Sequence, residues 1–378
     1  MLNNLKNTVS RSLTNIKGWK SGRKIVVIDS DDWGSIRIPN KEVRDAFQDA
    51  GYNIISNPYC KYDTLANTED LDKLFSILLK YKDKNGNHPV FTANTVVANP
   101  DFAAIRESGF TKYSYKPFTT ALKEYYPQED VFGKWQEGMD NKIFRPQYHG
   151  REHLNVPLWL ETLRSNNKIF VDAFNMGFWG VPKNLHSKDI YNIQAAYSSV
   201  DTENVAFYKR SIQEGLDLFE AIFHFRSKTF IANNYTWSPE LNETLNNSGV
   251  TAFQSMRYQK IPDNTSKAGV KLSSVHTGKR NALGQVYLVR NCAFEPSQMS
   301  KSFDNVGNCI KDIENAFFFK KPAIIASHRL NYIGAIDPGN RDRNLKYLND
   351  LLDQIMNKWP DAEFMSSDQL ALLIQDGK

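Results

Sequence analysis

The sequence predicts an α/β protein built on a distorted, seven-stranded TIM-like (β/α) barrel with insertions in its loops. Short apolar runs rich in β-branched residues alternate with helical patterns along most of the 378 residues, which is typical of parallel strands flanked by helices. No Gly-rich phosphate turn follows the first apolar run. A barrel therefore fits better than a doubly wound sheet.

The predicted strands are short apolar segments bounded by polar loops. The first reads Lys-Ile-Val-Val-Ile-Asp over 24–29 and ends in an acidic residue. Such apolar, β-branched runs are typical of buried parallel strands. The other predicted strands lie at 89–93, 143–144, 168–171, 229–232, 251–253, 322–326 and 362–364. Helices are predicted over 68–82, 205–225 and 343–356 from apolar residues at three- and four-residue spacing.

The chain is interpreted as one domain with a short lead-in. Residues 1–21 are polar and mildly basic, and residues 22–378 form the predicted deacetylase-like barrel, since no Pro/Gly linker divides them. Segment 270–292 contains turn-like residues around Gly278 and Gly284 and is predicted to be a hairpin inserted in one loop.

Composition excludes several classes of protein. The 47 basic and 42 acidic residues give a net charge of +5 without any clustered basic run, so no nucleic-acid partner is expected. Cys60, Cys292 and Cys309 form no CxxC pair, which favours reduced thiols over a cysteine metal site. With neither a secretory signal nor a long apolar stretch, a cytoplasmic protein without a transmembrane segment is expected. No feature of the sequence determines the oligomeric state.

The first potentially reactive set is the acidic run after the first strand, Asp29-Ser30-Asp31-Asp32. Crowded carboxylates repel one another, and a bound cation relieves that repulsion. A solvated acidic turn ended by Gly34 is the alternative interpretation of this run taken alone.

Two further sets contain histidines. His149 and His153 are spaced i and i+4, which on a helical turn lets both imidazoles reach one metal. Residues 149–153 also match the HxxEH signature of a metallopeptidase, in which Glu152 would be the base. His328 ends an apolar strand and is a candidate general acid, because its ordinary pKa lies near neutrality.

Four aromatic residues near these sets are candidates for a wall that stacks on sugar rings. They are Trp33, Tyr148, Tyr235 and Trp237. Packing in the core or in loops is an equally plausible role for each of them.

Together, the three sets resemble the NodB-homology polysaccharide deacetylases, carbohydrate esterase family 4. That family's TFDD motif ends its first strand, where this chain has Asp-Ser-Asp31-Asp32. Its H-[ST]-x-x-H motif matches His149 and His153, and its late L-x-x-H motif resembles Ile-Ala-Ser-His328. The resemblance covers residues 22 to 372 and keeps the order of the motifs.

The resemblance implies a role for each matched residue. Asp32, His149 and His153 would ligate one divalent metal, with zinc expected and cobalt or nickel as alternatives. Asp31 would be the general base and His328 the general acid. The implied reaction is hydrolysis of acetyl groups on an acetylated amino sugar, a polysaccharide or its precursor.

The chain also departs from the family pattern. Gly150 occupies the position of the family's Ser or Thr, and the family's R-x-P-Y motif is not found. Tyr235 lies near the place where that motif is expected. The resemblance implies that its backbone N–H would be the oxyanion donor. The arginine that tethers the base is unassigned, with Arg145 and Arg151 as candidates. A non-catalytic carbohydrate-binding or regulatory protein on a degenerate deacetylase barrel is therefore the competing hypothesis.

Overall fold

A computed structural model describes residues 11–186 and 192–377 of the chain, so the first half of the predicted lead-in lies outside the described residues. The strands are β1 Lys24–Trp33, β2 Phe91–Thr95, β3 Ala98–Pro100, β4 Tyr115–Pro117, β5 Phe144–Tyr148, β6 Thr229–Phe230, β7 Ala252–Ser255, β8 Tyr258–Pro262, β9 Val270–Ser274, β10 Val286–Val289, β11 Cys292–Ala293, β12 Ala323–His328 and β13 Ala362–Phe364.

Helices connect most of these strands. They are α1 Lys41–Asp49, α2 Pro58–Tyr62, α3 Thr68–Leu78, α4 Phe102–Glu107, α5 Phe118–Tyr125, α6 Val131–Asp140, α7 Val156–Arg164, α8 Lys168–Asn175, α9 Thr202–Phe223, α10 Asn242–Asn247, α11 Asn305–Phe318, α12 Pro338–Lys358 and α13 Ser367–Gln375. In the part of the chain that the structure describes, no helix combines the length and apolar character needed to cross a membrane.

The main sheet is parallel and curled, as a (β/α) barrel requires. Its strand order is β10-β7-β6-β5-β2-β1-β12-β11, and β13 pairs with the first residues of β1. The predicted parallel α/β architecture is confirmed, but the predicted count of seven is corrected to eight strands along this path. The difference arises because the segment from Val286 to Ala293 is divided into two short strands.

The division of this segment decides how the sheet closes. β10 pairs with β7, and β11 pairs with β12. These two strands are consecutive in the chain but form the opposite edges of the sheet path. The backbone N–H of Arg290 donates to Ser255 at 2.9 Å, whereas that of the next residue, Asn291, donates to Ile324 at 3.1 Å. The change of partner therefore falls between Arg290 and Asn291.

Two predictions about individual segments are corrected by the structure. The hairpin predicted at 270–292 is right only in part: Arg280 and Val286 form an antiparallel bridge across the turn at Gly284. The longer antiparallel pair is β8 with β9 over 258–274, and Val286–Val289 belongs to the main sheet. The predicted strand at 168–171 is the first turn of α8, which buries Phe170, Ala173 and Phe174 on one face. That three- and four-residue spacing is helical, and the four-residue window was too short to show it.

A second hydrophobic cluster covers the carboxyl ends of the strands. It combines residues that follow β1, β3, β5 and β12, including Ile38, Ile105, Trp159, Trp179 and Ile336. The main core lies between the sheet and the surrounding helices. Because the second cluster comes from segments inserted after the strands, it builds walls on the side of the barrel where parallel α/β folds place their sites.

Close packing at a helical glycine gives a test of the fold. In α9, a Cβ on Gly215 would lie 2.1 Å from Oη of Tyr148 and 2.9 Å from Cβ of Arg151. We expect Gly215→Ala to lower the free energy of unfolding by about 1–3 kcal/mol, because the buried ring must shift. Denaturant unfolding measures this.

Gly339→Ala is the matched control. Gly339 is an exposed helical residue in α12, and the nearest atom to its added Cβ is Oδ1 of Asp337 at 3.3 Å. Alanine is the better helix former by up to about 1 kcal/mol, so this variant should be neutral or stabilised. Equal losses in both variants would contradict the packing of α9 against Tyr148.

Candidate metal centre

A distortion at the end of β1 turns two successive carboxylates into the same cavity. Neighbouring side chains of a regular strand point to opposite faces, yet Asp31 and Asp32 line one cavity. Asp32 has a φ of 72°, and the register between β1 and β2 shifts between Ser30 and Trp33. This bulge-like irregularity re-aims Asp32, as bulges near functional sites commonly do.

The two histidines meet through a loop rather than through the predicted helical turn. Residues 149–155 are irregular, and Gly150 has a φ of 111°, a conformation that favours glycine. A Cβ there would also lie 3.0 Å from the carbonyl oxygen of Glu152. The tight loop thus explains why glycine stands where the resembling family has Ser or Thr.

Asp32, His149 and His153 form a buried cluster whose ligand atoms all lie within 4.8 Å of one another. Both histidine Nε2 atoms lie 3.3 Å from Oδ1 of Asp32. Nδ1 of His149 is 2.8 Å from the carbonyl oxygen of Ile231, which orients Nε2 toward the carboxylate. Two imidazoles and one carboxylate are the donor set of many three-ligand metal sites.

The protonation states suit metal ligation. Burial lowers the pKa of His153 to about 3, so this ring is neutral near pH 7 and keeps a lone pair for a metal. Burial works against ionisation of Asp32, but the adjacent histidines and Arg37 hold the pKa of its carboxyl well below the usual range. The donor set is therefore ready to bind a cation.

Asp31 is paired with an arginine that the sequence did not reveal. Arg290 donates from Nη1 to Oδ2 and from Nη2 to Oδ1 of Asp31, both at 2.6 Å, and from Nε to Asp29 at 3.3 Å. Asn94 adds a bond to Oδ1 of Asp31 at 2.7 Å. Burial alone would raise the pKa of Asp31, but Arg290 outweighs burial and lowers it to about 2.

The candidate tethers Arg145 and Arg151 are engaged elsewhere. Arg145 donates to Asp368 at 2.9 Å, and Arg151 donates to Glu152 at 2.6 Å. The sequence alone does not single out Arg290, because the segment that contains it is predicted to be an inserted hairpin. Its position directly after the apolar run Val286–Val289 was the available signal, since functional groups collect at strand ends.

His328 faces Asp31 across the cavity. Its Nε2 lies 3.7 Å from Oδ2 of Asp31, and its Nδ1 lies 2.5 Å from Oε1 of Glu295. Glu295 in turn accepts a bond from Asn331 at 2.8 Å. Burial lowers the pKa of His328, but the Glu295 carboxylate and the nearby aspartates outweigh it and raise the pKa to about 9.

A cavity of about 80 Å³ is lined by Asp31, Asp32, His149, His153 and His328. The remaining lining residues are Arg37, Tyr59, Gln194, Ile231, Ala232, Asn234 and Tyr235. A larger cavity of about 500 Å³, which Arg23, His88 and Lys142 help to line, is at the amino ends of β1, β2 and β5. It contains none of the candidate catalytic groups and lies at the end of a barrel that usually serves stability.

The proposed sugar-stacking wall is largely corrected by the structure. Trp33, Tyr148 and Trp237 are 1%, 0% and 0% exposed and belong to the main core, where aromatic side chains bury the most apolar surface. Tyr235 alone of the four lines the cavity, and its hydroxyl accepts a bond from Arg290 at 3.2 Å. Its backbone N–H donates to Ala232 at 2.8 Å, so it is engaged within its own turn.

Comparison with known proteins gives structural likenesses only. No protein-family profile matches the chain, and no curated protein sequence matches it. A candidate polysaccharide deacetylase from Mycobacterium smegmatis is similar over 96% of this chain and 93% of that chain, with 10% identity and a TM-score of 0.43.

Two other solved structures have different descriptions. PuuE allantoinase is similar over 94% of this chain and 91% of that chain, with 10% identity and a TM-score of 0.42. A 4-alpha-glucanotransferase from Thermococcus litoralis is similar over 92% of this chain and 40% of that chain, with 9% identity and a TM-score of 0.46. The residues of this chain, and not these likenesses, carry the function proposed below.

The pairing of Arg290 with two buried aspartates predicts a large effect on stability. Arg290→Gln should lower the free energy of unfolding at neutral pH by about 3–5 kcal/mol, because it leaves buried carboxylates without their partner. Arg145→Gln should cost less than about 1 kcal/mol, because the side chain of Arg145 is 37% exposed and screened by solvent. Denaturant unfolding distinguishes them, and similar losses would contradict the assigned tether.

Proposed function

We propose that this protein is a metal-dependent hydrolase that removes acetyl groups from an acetylated amino sugar, a polysaccharide or its precursor. The observation that carries this proposal is the convergence of three groups in one cavity. These are the Asp32, His149 and His153 cluster, the carboxylate of Asp31 and the imidazole of His328. Each lies at the carboxyl end of a strand or in the loop that follows it.

Asp32, His149 and His153 would hold one divalent metal, with zinc favoured by the mixed nitrogen and oxygen donors. A metal held there supplies Lewis-acid chemistry, which polarises an acyl carbonyl and eases deprotonation of water. The buried, preoriented imidazole of His149 supports this role, since its Nδ1 is already engaged with Ile231.

Asp31 is the proposed general base. The bidentate contact with Arg290 keeps its carboxylate ionised and fixes its plane. Asp31 neighbours Asp32 in sequence and lines the same cavity, so it can accept a proton from water beside the metal ligands. Its low pKa favours the ionised form that a base requires.

His328 is the proposed general acid. A pKa of about 9 leaves its ring protonated near pH 7, and Glu295 holds Nδ1 so that Nε2 points toward Asp31. The side chain is 19% exposed, more than the metal-ligand cluster. It can therefore deliver a proton to the leaving nitrogen or oxygen of a substrate that enters from solvent.

The competing hypotheses lose their sequence-based support. The missing arginine motif favours a non-catalytic barrel, and the bidentate contact of Arg290 with Asp31 weakens that argument. The metallopeptidase hypothesis requires Glu152 as the base. The carboxylate of Glu152, however, accepts hydrogen bonds from Arg151 and Ser211 and does not line the cavity. No specific observation favours either alternative over acetyl hydrolysis.

Metal removal tests the proposed chemistry. The purified protein should release acetate from at least one member of a panel of N- and O-acetylated sugars. Treatment with a chelator should abolish release, and added zinc, cobalt or nickel should restore it, because activation of water depends on the metal. Absence of stoichiometric metal binding, before and after reconstitution, would favour the non-catalytic alternative.

Substitutions separate the roles of the site residues. Asp31→Asn should retain metal but reduce turnover by about 10²-fold or more, since the base is lost, whereas His153→Ala should lose both. Glu152→Gln is the matched control and should keep activity per folded molecule. Metal content and acetate release are measured on each variant; wild-type turnover in Asp31→Asn would contradict the assigned base.

A further inference from the structure

A second arginine stands beside the candidate metal ligands, at the wall of the same cavity. Arg37 is 3% exposed, and its Nη2 lies 3.4 Å from Oδ2 of Asp32. On the other side, its Nε lies 3.5 Å from Oδ2 of Asp63. The guanidinium is thus placed between two buried carboxylates, only one of which is a candidate metal ligand.

The two arginines of the site engage their carboxylates differently. Arg290 makes two bonds of 2.6 Å with Asp31, whereas Arg37 approaches Asp32 no closer than 3.4 Å. Charge-assisted bonds from arginine to carboxylate are usually about 2.7–2.9 Å long. Asp32 is therefore incompletely neutralised by its arginine, while Asp31 is fully paired.

Other contacts hold Arg37 in this intermediate position. Its Nη1 donates to Oε1 of Gln194 at 2.7 Å. Its guanidinium carbon lies 4.7 Å from the ring centre of Tyr59 and 5.6 Å from that of Trp179, within the range of cation–π attraction. These contacts come from the segments that follow β1 and β5, outside the main sheet.

Asp63 is the counterpart that draws Arg37 away from Asp32. Asp63 is fully buried and accepts bonds from Nε and Nη2 of Arg329 at 3.0 and 2.8 Å, both through Oδ1. Its Oδ2 faces Arg37 and has no hydrogen-bond partner among the described residues. This buried oxygen lies 3.5 Å from Nε of Arg37 and attracts its guanidinium.

We propose that Asp63 is a positioning residue for the metal site, which acts by sharing Arg37 and so leaves Asp32 available as a ligand. This inference rests on the proposed metal site and adds a part to it. Asp63 does not line the cavity. It determines the position of the Arg37 guanidinium, which competes with the metal for Asp32. The four charges alternate in a buried chain, in the order Asp32, Arg37, Asp63 and Arg329.

Opposite effects of two substitutions follow from this arrangement. Without the charge of Asp63, the guanidinium of Arg37 has Asp32 as its nearest carboxylate and should move onto it, in competition with the metal. Without Arg37, that competition and the repulsion between two cations both disappear. A residue that merely supported the fold would weaken metal binding in either case.

The experiment measures the zinc dissociation constant of the full chain by competition with a chromophoric chelator. We expect Asp63→Asn to weaken zinc binding by about tenfold or more, the usual range for residues that orient metal ligands, and Arg37→Gln to tighten it. When Arg37→Gln is already present, Asp63→Asn should raise the zinc dissociation constant by a factor at least about fivefold smaller than it does in the wild type. Direct charge effects on the metal are additive, so this difference reports movement of Arg37.

The possible outcomes separate this inference from the proposed function. Equal effects of Asp63→Asn in the two backgrounds, or weaker binding in both single variants, would overturn the role of Asp63 while leaving the metal site intact. A wild-type protein that binds no zinc, cobalt or nickel would overturn the proposed function and this inference with it.

A conservative variant covers the case in which Asp63→Asn does not fold. Arg37→Lys keeps the positive charge but lacks the planar fork that faces two carboxylates at once. Its zinc binding should stay at or below the wild-type level, whereas Arg37→Gln should exceed it. Tighter binding in Arg37→Lys than in Arg37→Gln would contradict the proposal.

Discussion

The buried pairing of Arg290 with Asp31 and Asp29 is the interaction on which the arrangement of the site depends. All three side chains are at most 4% exposed, and a charge buried so deeply persists only when it is paired and hydrogen-bonded. The pairing also joins the end of β10 to the end of β1 across the barrel interior. It therefore ties together the region where the sheet changes partner between Arg290 and Asn291.

Beneath this pair, amide side chains satisfy the remaining polar atoms. Asn94 and Gln254 exchange bonds of 2.8 Å, and Gln254 also accepts a bond from Arg290 at 3.0 Å. A fully bonded polar network in a low-dielectric interior rigidifies its members, whereas a partly bonded one is costly. The base and its arginine therefore lie on a stiff platform contributed by β2, β7 and β10.

The metal ligands are held by a different kind of constraint. Asp32 occupies a left-handed conformation at the end of β1, and the loop at Gly150 has a positive φ as well. Such conformations persist only where surrounding contacts determine them, and here the walls come from the inserted segments around Arg37 and Trp179. The strand ends thus position the groups, while the inserted segments enclose them.

Short sequence patterns were enough to predict the strands whose apolar runs end in reactive residues. Asp31, Asp32 and His328 could be singled out because strand ends in a parallel α/β fold converge, and His149 and His153 because of their spacing. The same local logic failed at Lys168–Val171, where four residues do not distinguish a strand from a helical turn. It also failed at Trp33, Tyr148 and Trp237, since side-chain burial depends on neighbours distant in sequence.

The parallel α/β class and the candidate metal-binding residues could be predicted from the amino-acid order, because both follow from short-range periodicity and spacing. The partners of those residues, in contrast, are set by the folded arrangement of the strands. Arg290 is 259 positions from Asp31 in the chain, and Arg329 is 266 positions from Asp63. Pairings over such separations depend on how the strands close into a sheet, and no local pattern records that.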